Sequence, residues 1–317
     1  MSFRFRLFKI VYFIIIIMFT IFTVSCSENI NSYDENNVEF IDSLNRKVSI
    51  KKSPNRVVAL LGSFADVWYL SGGSVCATVS DAWTDFDLPL ENCVNLGGAH
   101  SPSLELIVKS NPDLVLASSS TKSNVEMKDS LEMMGITVAY FDVDNFGDYL
   151  NMLNICTDIT GRKDLYQKNG LEIKDKIEEI KNDFNKLGLS DNEKSVLLLR
   201  TSSSFVKAKG SSGTILGEML KDLGCINIAD SDNSLLENLS LECVIKNEPN
   251  YIFVVTMGSD TEAAYNSINK MFEENPAWKS LKAYKEERFF IMDKSLFNIK
   301  PNARWALAYE VLYDKLK

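Results

Sequence analysis

The residues able to do chemistry in this chain are spread along it and form no catalytic motif. There is one histidine, His100. A site for bare Zn or Mn needs several His and carboxylate ligands, and a lone His cannot build one. The sequence has no Gly-x-Ser-x-Gly elbow, no P-loop and no metal-hydrolase His motif. What remains is recognition chemistry in loops. Ser63, Phe64, Asp81 and Trp83 follow predicted strands in the first half. His100 closes the loop Gly97-Gly98-Ala99-His100, and Ser119 lies in Ser118-Ser119-Ser120-Thr121. In the second half, Arg200, Ser203 and Phe205 lie between two predicted strands, and Lys209 precedes Gly210-Ser211-Ser212-Gly213. Met257 and Ser259 end a strand, and Phe297 and Arg304 lie near the C-terminus. Aromatic rings supply rigid contact surface, and Arg grips carboxylates through paired hydrogen bonds. Each residue also has an ordinary reading, as a solvated hydroxyl, a core ring or half of a surface ion pair.

Such loops need a scaffold, and the chain contains one unit twice. Ser103-Leu104-Glu105 leads through Lys109 and Asn111-Pro112-Asp113 into Leu114-Val115-Leu116. Ser240-Leu241-Glu242 leads through Lys246 and Glu248-Pro249-Asn250 into Tyr251-Ile252-Phe253-Val254. The two align without a gap. Each reads as the end of a short helix, a turn and a buried strand. A repeated unit of this kind predicts two lobes of similar build. The cleft between such lobes is the expected place for a small ligand, lined by loops at the carboxyl ends of the strands.

The rest of the pattern fits. Residues 38–50 alternate apolar and polar about Asp42-Ser43-Leu44-Asn45-Arg46, which predicts a hairpin with Asn45 in the left-handed region. Strands are expected at 56–61, 75–79, 113–117 and 137–141, with helices at 64–70 and 126–134. This rhythm argues a mostly parallel sheet. Residues 164–187 carry Leu165, Ile173, Ile177, Ile180, Phe184 and Leu187 mostly three and four apart, which predicts one amphipathic helix. It would span about 36 Å, enough to cross between lobes. Strands resume at 195–199, 205–208, 251–255 and 289–292, with helices at 215–223 and 303–316.

At 317 residues with 45% hydrophobic side chains, the chain can bury two cores. A net charge of −9 argues against nucleic acid as a partner. Arg4, Arg6 and Lys9 precede an apolar run at 10–22, then Thr23-Val24-Ser25-Cys26, the layout of an export signal. Its end resembles the lipobox of bacterial lipoproteins, with Thr23 where Leu is usual. That resemblance implies a signal peptide at 1–25, acylation of Cys26 and a polar tether at 26–37. The protein would then be anchored by lipid on the extracytoplasmic face of the cell membrane. The other cysteines, Cys76, Cys93, Cys156, Cys225 and Cys243, are odd in number and lack a Cys-x-x-Cys. This argues against a disulfide framework and a zinc cluster, while a Cys76–Cys93 pair stays open.

Several words in order resemble the class III substrate-binding proteins of ABC importers, which serve siderophores, haem and cobalamin. They are Asp42-Ser43-Leu44-Asn45-Arg46, Pro54-Asn55-Arg56-Val57-Val58-Ala59-Leu60, Leu96-Gly97 before Pro102-Ser103-Leu104-Glu105, and Asn111-Pro112-Asp113. Leu223-Gly224 with Asn227, Ser240-Leu241-Glu242 and Asn275-Pro276-Ala277-Trp278 complete the set. Asn45 stands where the family favours Gly, and Asn250 where it favours Asp. The resemblance implies an α/β fold of two Rossmann-like lobes, 38–163 and 188–317, joined by the single helix 164–187. It implies no enzyme activity, no covalent cofactor besides lipid, and no resident metal. It also implies that Glu105 and Glu242 meet arginines of the importer's membrane subunits. The expected cargo is a ferric siderophore or similar iron chelate, with a corrinoid or haem as alternatives. Haem would use His100 or Met257 as axial ligand. The alternative of another class is an exported α/β lipoprotein enzyme acting on a small anionic substrate. The absence of a nucleophile–base pair weighs against it. A structural or adhesive surface protein is a third class.

Overall fold

The fold is known from a computed structural model, and the structure describes residues 36–258 and 260–317. The predicted export signal and Cys26 lie outside the described residues. Residues 37–317 form one compact unit. Among the described residues no helix is long and apolar enough to cross a membrane.

A hairpin, β1 (Asn37–Ile41) and β2 (Lys47–Lys51), opens the unit. Its turn is built around Asp42, whose buried carboxylate accepts from the backbone N–H of Leu44 at 3.0 Å and of Arg46 at 3.1 Å. The same carboxylate accepts from Arg46 Nε and from Tyr140 N–H. Asn45 takes the predicted left-handed conformation, φ 58°.

Five parallel strands follow: β3 (Val57–Ala59), β4 (Val75–Thr78), β5 (Val94–Asn95), β6 (Leu114–Ser118) and β7 (Thr137–Phe141). Their spatial order is β5-β4-β3-β6-β7. The second sheet comprises β8 (Ser195–Thr201), β9 (Val206–Lys209), β10 (Ile226–Asn227), β11 (Tyr251–Thr256) and β12 (Phe289–Met292). It runs β10-β8-β11-β12 in parallel, with β9 antiparallel on β8. The central strands β6 and β11 are buried along their whole length because helices cover both faces. In both sheets the chain reverses direction of growth beside the first strand, between β3 and β6 and between β8 and β11. That is where open α/β sheets leave a crevice at their carboxyl ends.

The repeated unit is equally repeated in three dimensions. Helices Leu104–Lys109 and Leu241–Asn247 are capped by Ser103 and Ser240, whose hydroxyls accept from the N–H of Leu106 and Cys243. Ile107 and Val244 anchor them in the two cores, fully buried. Asn111 and Glu248 both turn left-handed after the helix, at φ 46° and 38°, and deliver the chain into β6 and β11.

The predicted long helix is present at 163–186, with a π-turn at Gln167–Leu171. Ahead of and at the turn it touches the first lobe: Leu165 lies against Gly72, and Asn169 Nδ2 donates to Leu70 O at 2.8 Å. Beyond the turn Ile173, Ile177 and Phe184 are buried, and the helix packs along Trp305–Leu316. A second crossing is the segment 293–304. Asn302 Nδ2 donates to Ser63 O at 2.9 Å and to Asp66 Oδ2 at 2.8 Å, and Lys294 pairs with Asp85 at 3.6 Å.

Among the described residues, two long helices lie where the sequence pattern predicts none. Phe146–Thr160 starts at a capping box formed by Asn145 and Asp148, and Thr261–Glu274 is capped by Asp260. The helix expected at 126–134 is instead two short pieces, Lys122–Glu126 and Lys128–Met133.

Candidate functional site

In the first lobe, the loops after β3 and β4 meet closely. A Cβ on Gly62 would lie 2.6 Å from the backbone N of Ala82, so only glycine fits. Gly62 N–H donates to Asp81 Oδ1 at 3.1 Å. Burial raises the Asp81 carboxyl, partly offset by that hydrogen bond. Trp83 follows, half-buried. Ser119, also half-buried, donates its N–H to Phe141 O. Ser63 is buried and its carbonyl is occupied by Asn302.

The second lobe supplies charge. Arg200 sits near the carboxyl end of β8, and its direct partner on β9 is Lys207. Lys209 lies two residues along β9, opposite Leu198. Side chains two apart on a strand share a face, so the three cations stand on one face of the β8–β9 ribbon. Among the described residues none of the three has a carboxylate partner, and the buried Arg200 Nε has no acceptor. Burial pushes the Arg200 guanidinium below its ordinary pKa. Lys209 is lowered by burial and then by repulsion from Arg200 and Lys207. Arg stays protonated under these conditions. Its uncompensated charge therefore favours binding an anion. Phe205 carries the Lys207 ammonium 5.4 Å from its ring centroid. Met257 is half-buried at the end of β11, its N–H bonded to Thr201 O at 2.8 Å.

Ser203, Phe205 and Lys207 also line a groove of about 460 Å³ with Lys270, Met271 and Trp278. A second hollow, about 510 Å³, lies between the long helix and Trp305 and Tyr309.

Two expected contacts are corrected by the structure. Phe64 is fully buried and packs edge-on against Phe141, and Phe297 is 1% exposed, so both rings belong to the core. Arg304 is exposed, but its guanidinium binds the Ser295 hydroxyl and carbonyl at 3.1 and 3.2 Å. His100 is exposed in the loop after the edge strand β5. Lys207 was missed, although Phe205, Lys207 and Lys209 alternate with Val206 and Ala208 at the period of a strand. The described cysteines are all free thiols. Among the described residues no group of His, Cys, Asp or Glu could hold a metal ion. Glu105 and Glu242 are exposed in the first turns of their helices.

Paired parallel sheets, switch-point loops and an unpaired cationic face describe a receptor for a small ligand. The chain belongs to the periplasmic binding protein family, whose model matches residues 57–296. It is therefore a binding protein and not an enzyme. The Fe(3+)-citrate-binding protein YfmC of Bacillus subtilis (strain 168) is 26% identical over 258 residues, 78% of this chain and 76% of its own. The uncharacterized ABC transporter substrate-binding lipoprotein YvrC of the same bacterium is 25% identical over 260 residues, 80% of this chain and 78% of its own. Among solved structures, Staphylococcus aureus SirA complexed with staphyloferrin B superposes with a TM-score of 0.69 at 20% identity. The match covers 88% of this chain and 98% of SirA. The expected two-lobed α/β class is thus the observed one.

Proposed function

We propose that the protein captures an iron chelate rich in carboxylates and hands it to the membrane subunits of an ABC importer. The observation that carries this reading is the trio Arg200, Lys207 and Lys209, three cations on one face with no carboxylate of their own. The names of YfmC and of the SirA complex support it. Residues 38–163 and 188–317 act as the two lobes and 164–187 as their bridge. Loops bearing Trp83, Ser119, Ser203, Phe205 and Met257 complete the cleft, Glu105 and Glu242 dock the importer, and acylated Cys26 holds the protein at the membrane.

Two measurements test this. Fe(III)–citrate should quench the protein's tryptophan fluorescence saturably, with no product released, while free Zn²⁺ and Mn²⁺ produce no calorimetric signal. Stoichiometric, sub-micromolar zinc uptake would overturn the cargo assignment. So would haem or a corrinoid binding with Fe(III)–citrate inert. For the anchor, Cys26→Ala should leave the precursor uncut or release the protein from membranes. Retention of that variant in the membrane at mature size would refute acylation.

A further inference from the structure

We infer that each lobe presents the importer with a three-part docking unit of carboxylate, aliphatic side chain and ammonium, in place of a lone carboxylate. The units are Glu105, Val108 and Lys109 on one lobe, and Glu242, Ile245 and Lys246 on the other. The inference rests on the docking role proposed for the two glutamates and extends it.

The repeat that equates Glu105 with Glu242 equates the other two positions as well. Residues three and four apart share a helix face, so each triplet forms one patch. The opposite face is fixed by Ile107 or Val244, both fully buried. Ile245 leaves 47% of its surface in water, Val108 is half-buried, and both glutamates and both lysines are exposed.

The charges make the stronger point. Glu followed four residues later by Lys is the favoured order for an ion pair within a helix. Pairs of the less favoured order, Lys before Glu, close elsewhere in the protein, Lys128–Glu132 at 2.9 Å, Lys122–Glu126 at 3.5 Å and Lys270–Glu274 at 3.6 Å. Glu105 and Lys109 do not pair, nor do Glu242 and Lys246, and none of the four has another ion-pair partner among the described residues. Both units therefore keep an unspent anion and an unspent cation, on side chains whose Cβ atoms stand about 5–6 Å apart, flanking an aliphatic group. A complementary surface must offer a cation, an apolar contact and an anion in that order, and must offer the set twice. The membrane subunits of an importer, engaging both lobes together, meet that demand. A second copy of this chain is the competing occupant, because an acid–base patch can also match itself.

The test uses full-length protein in its own host, with uptake of ⁵⁵Fe(III)–citrate and binding of Fe(III)–citrate to purified protein as separate readouts. Lys109→Gln with Lys246→Gln, and separately Ile245→Asp, should each lower initial uptake about tenfold, through loss of an interfacial charge pair in the first and of an apolar contact in the second. Binding and melting temperature should stay unchanged. Normal uptake in both variants, with uptake lost in Glu105→Lys/Glu242→Lys, would overturn the three-part unit and leave glutamate docking intact. Normal uptake in all three would overturn both. A dimer in sedimentation that the lysine variants dissociate would assign the patch to self-association and overturn the inference.

Discussion

Arg200→Met is expected to weaken Fe(III)–citrate binding by about 2–3 kcal/mol, roughly 30- to 150-fold in Kd, without destabilising the empty protein. The two halves of that result have one cause. In the empty protein Arg200 is half-buried, its buried Nε lacks an acceptor, and its neighbours on β9 are Lys207 directly opposite and Lys209 diagonally. An unpaired buried charge costs stability, so an apolar side chain of similar length relieves it. With an anionic chelate present, the same group gains a carboxylate and the cost becomes affinity. Lys207→Met should lose less, because Lys207 is exposed and screened by solvent. Calorimetry and a thermal melt on each variant decide the matter. An Arg200 variant that melts well below the parent protein, or that binds Fe(III)–citrate equally well, would remove the cationic face from the site.

The second large effect concerns Asp42, at the turn of the first hairpin. Asp42→Asn should cost about 2–4 kcal/mol, since the turn loses a charged acceptor shared by the backbone of Leu44, Arg46 and Tyr140 and by the Arg46 guanidinium. Burial by itself would raise the Asp42 carboxyl, but the hydrogen bonds and charge of Arg46 outweigh it and hold the group below the usual carboxylate range. A carboxyl lowered by folding contributes stability that is fully present above its unfolded pKa of about 3.9. That contribution is lost as pH falls through the folded pKa. Urea unfolding of both proteins should therefore show a wide gap at pH 7 that narrows below about pH 4. Parallel stability curves across that range would show that Asp42 is not the node of the turn.

Asp42-Ser43-Leu44-Asn45-Arg46 also illustrates what the sequence discloses. The hairpin and the left-handed Asn45 were legible, because alternation and turn chemistry are local. The clamp of Arg46 and Tyr140 on Asp42 was not, because Tyr140 reaches the turn from a distant strand. The long helix was legible because its apolar stripe is long and periodic. Phe146–Thr160 was overlooked despite Asn145 and Asp148 at capping spacing, because its many Asn, Asp and Thr residues dilute the helical pattern. Phe64, Phe297 and Phe205 look alike in sequence, each close to the end of a strand. Only the sheets' layering sends the first two inward and leaves the third beside Lys207. Arg200 was marked by position, but its lack of a partner is a property of the assembled ribbon. The crossing at 293–304 joins Asn302 to Ser63, and no local signal marks a contact of that range.

The π-turn at Gln167–Leu171 has a mechanical side. One extra residue in a helical turn advances every later side chain by about 100° around the axis. The helix therefore shows one flank to the first lobe through Leu165 and Asn169, and another to the C-terminal helix through Ile173, Ile177 and Phe184. A smooth rod with a single apolar stripe could roll between its neighbours. A rod keyed at two azimuths cannot turn against one neighbour without unseating the other. If it bridges the lobes as proposed, it acts as a splined shaft, and a twist applied to one lobe passes to the other.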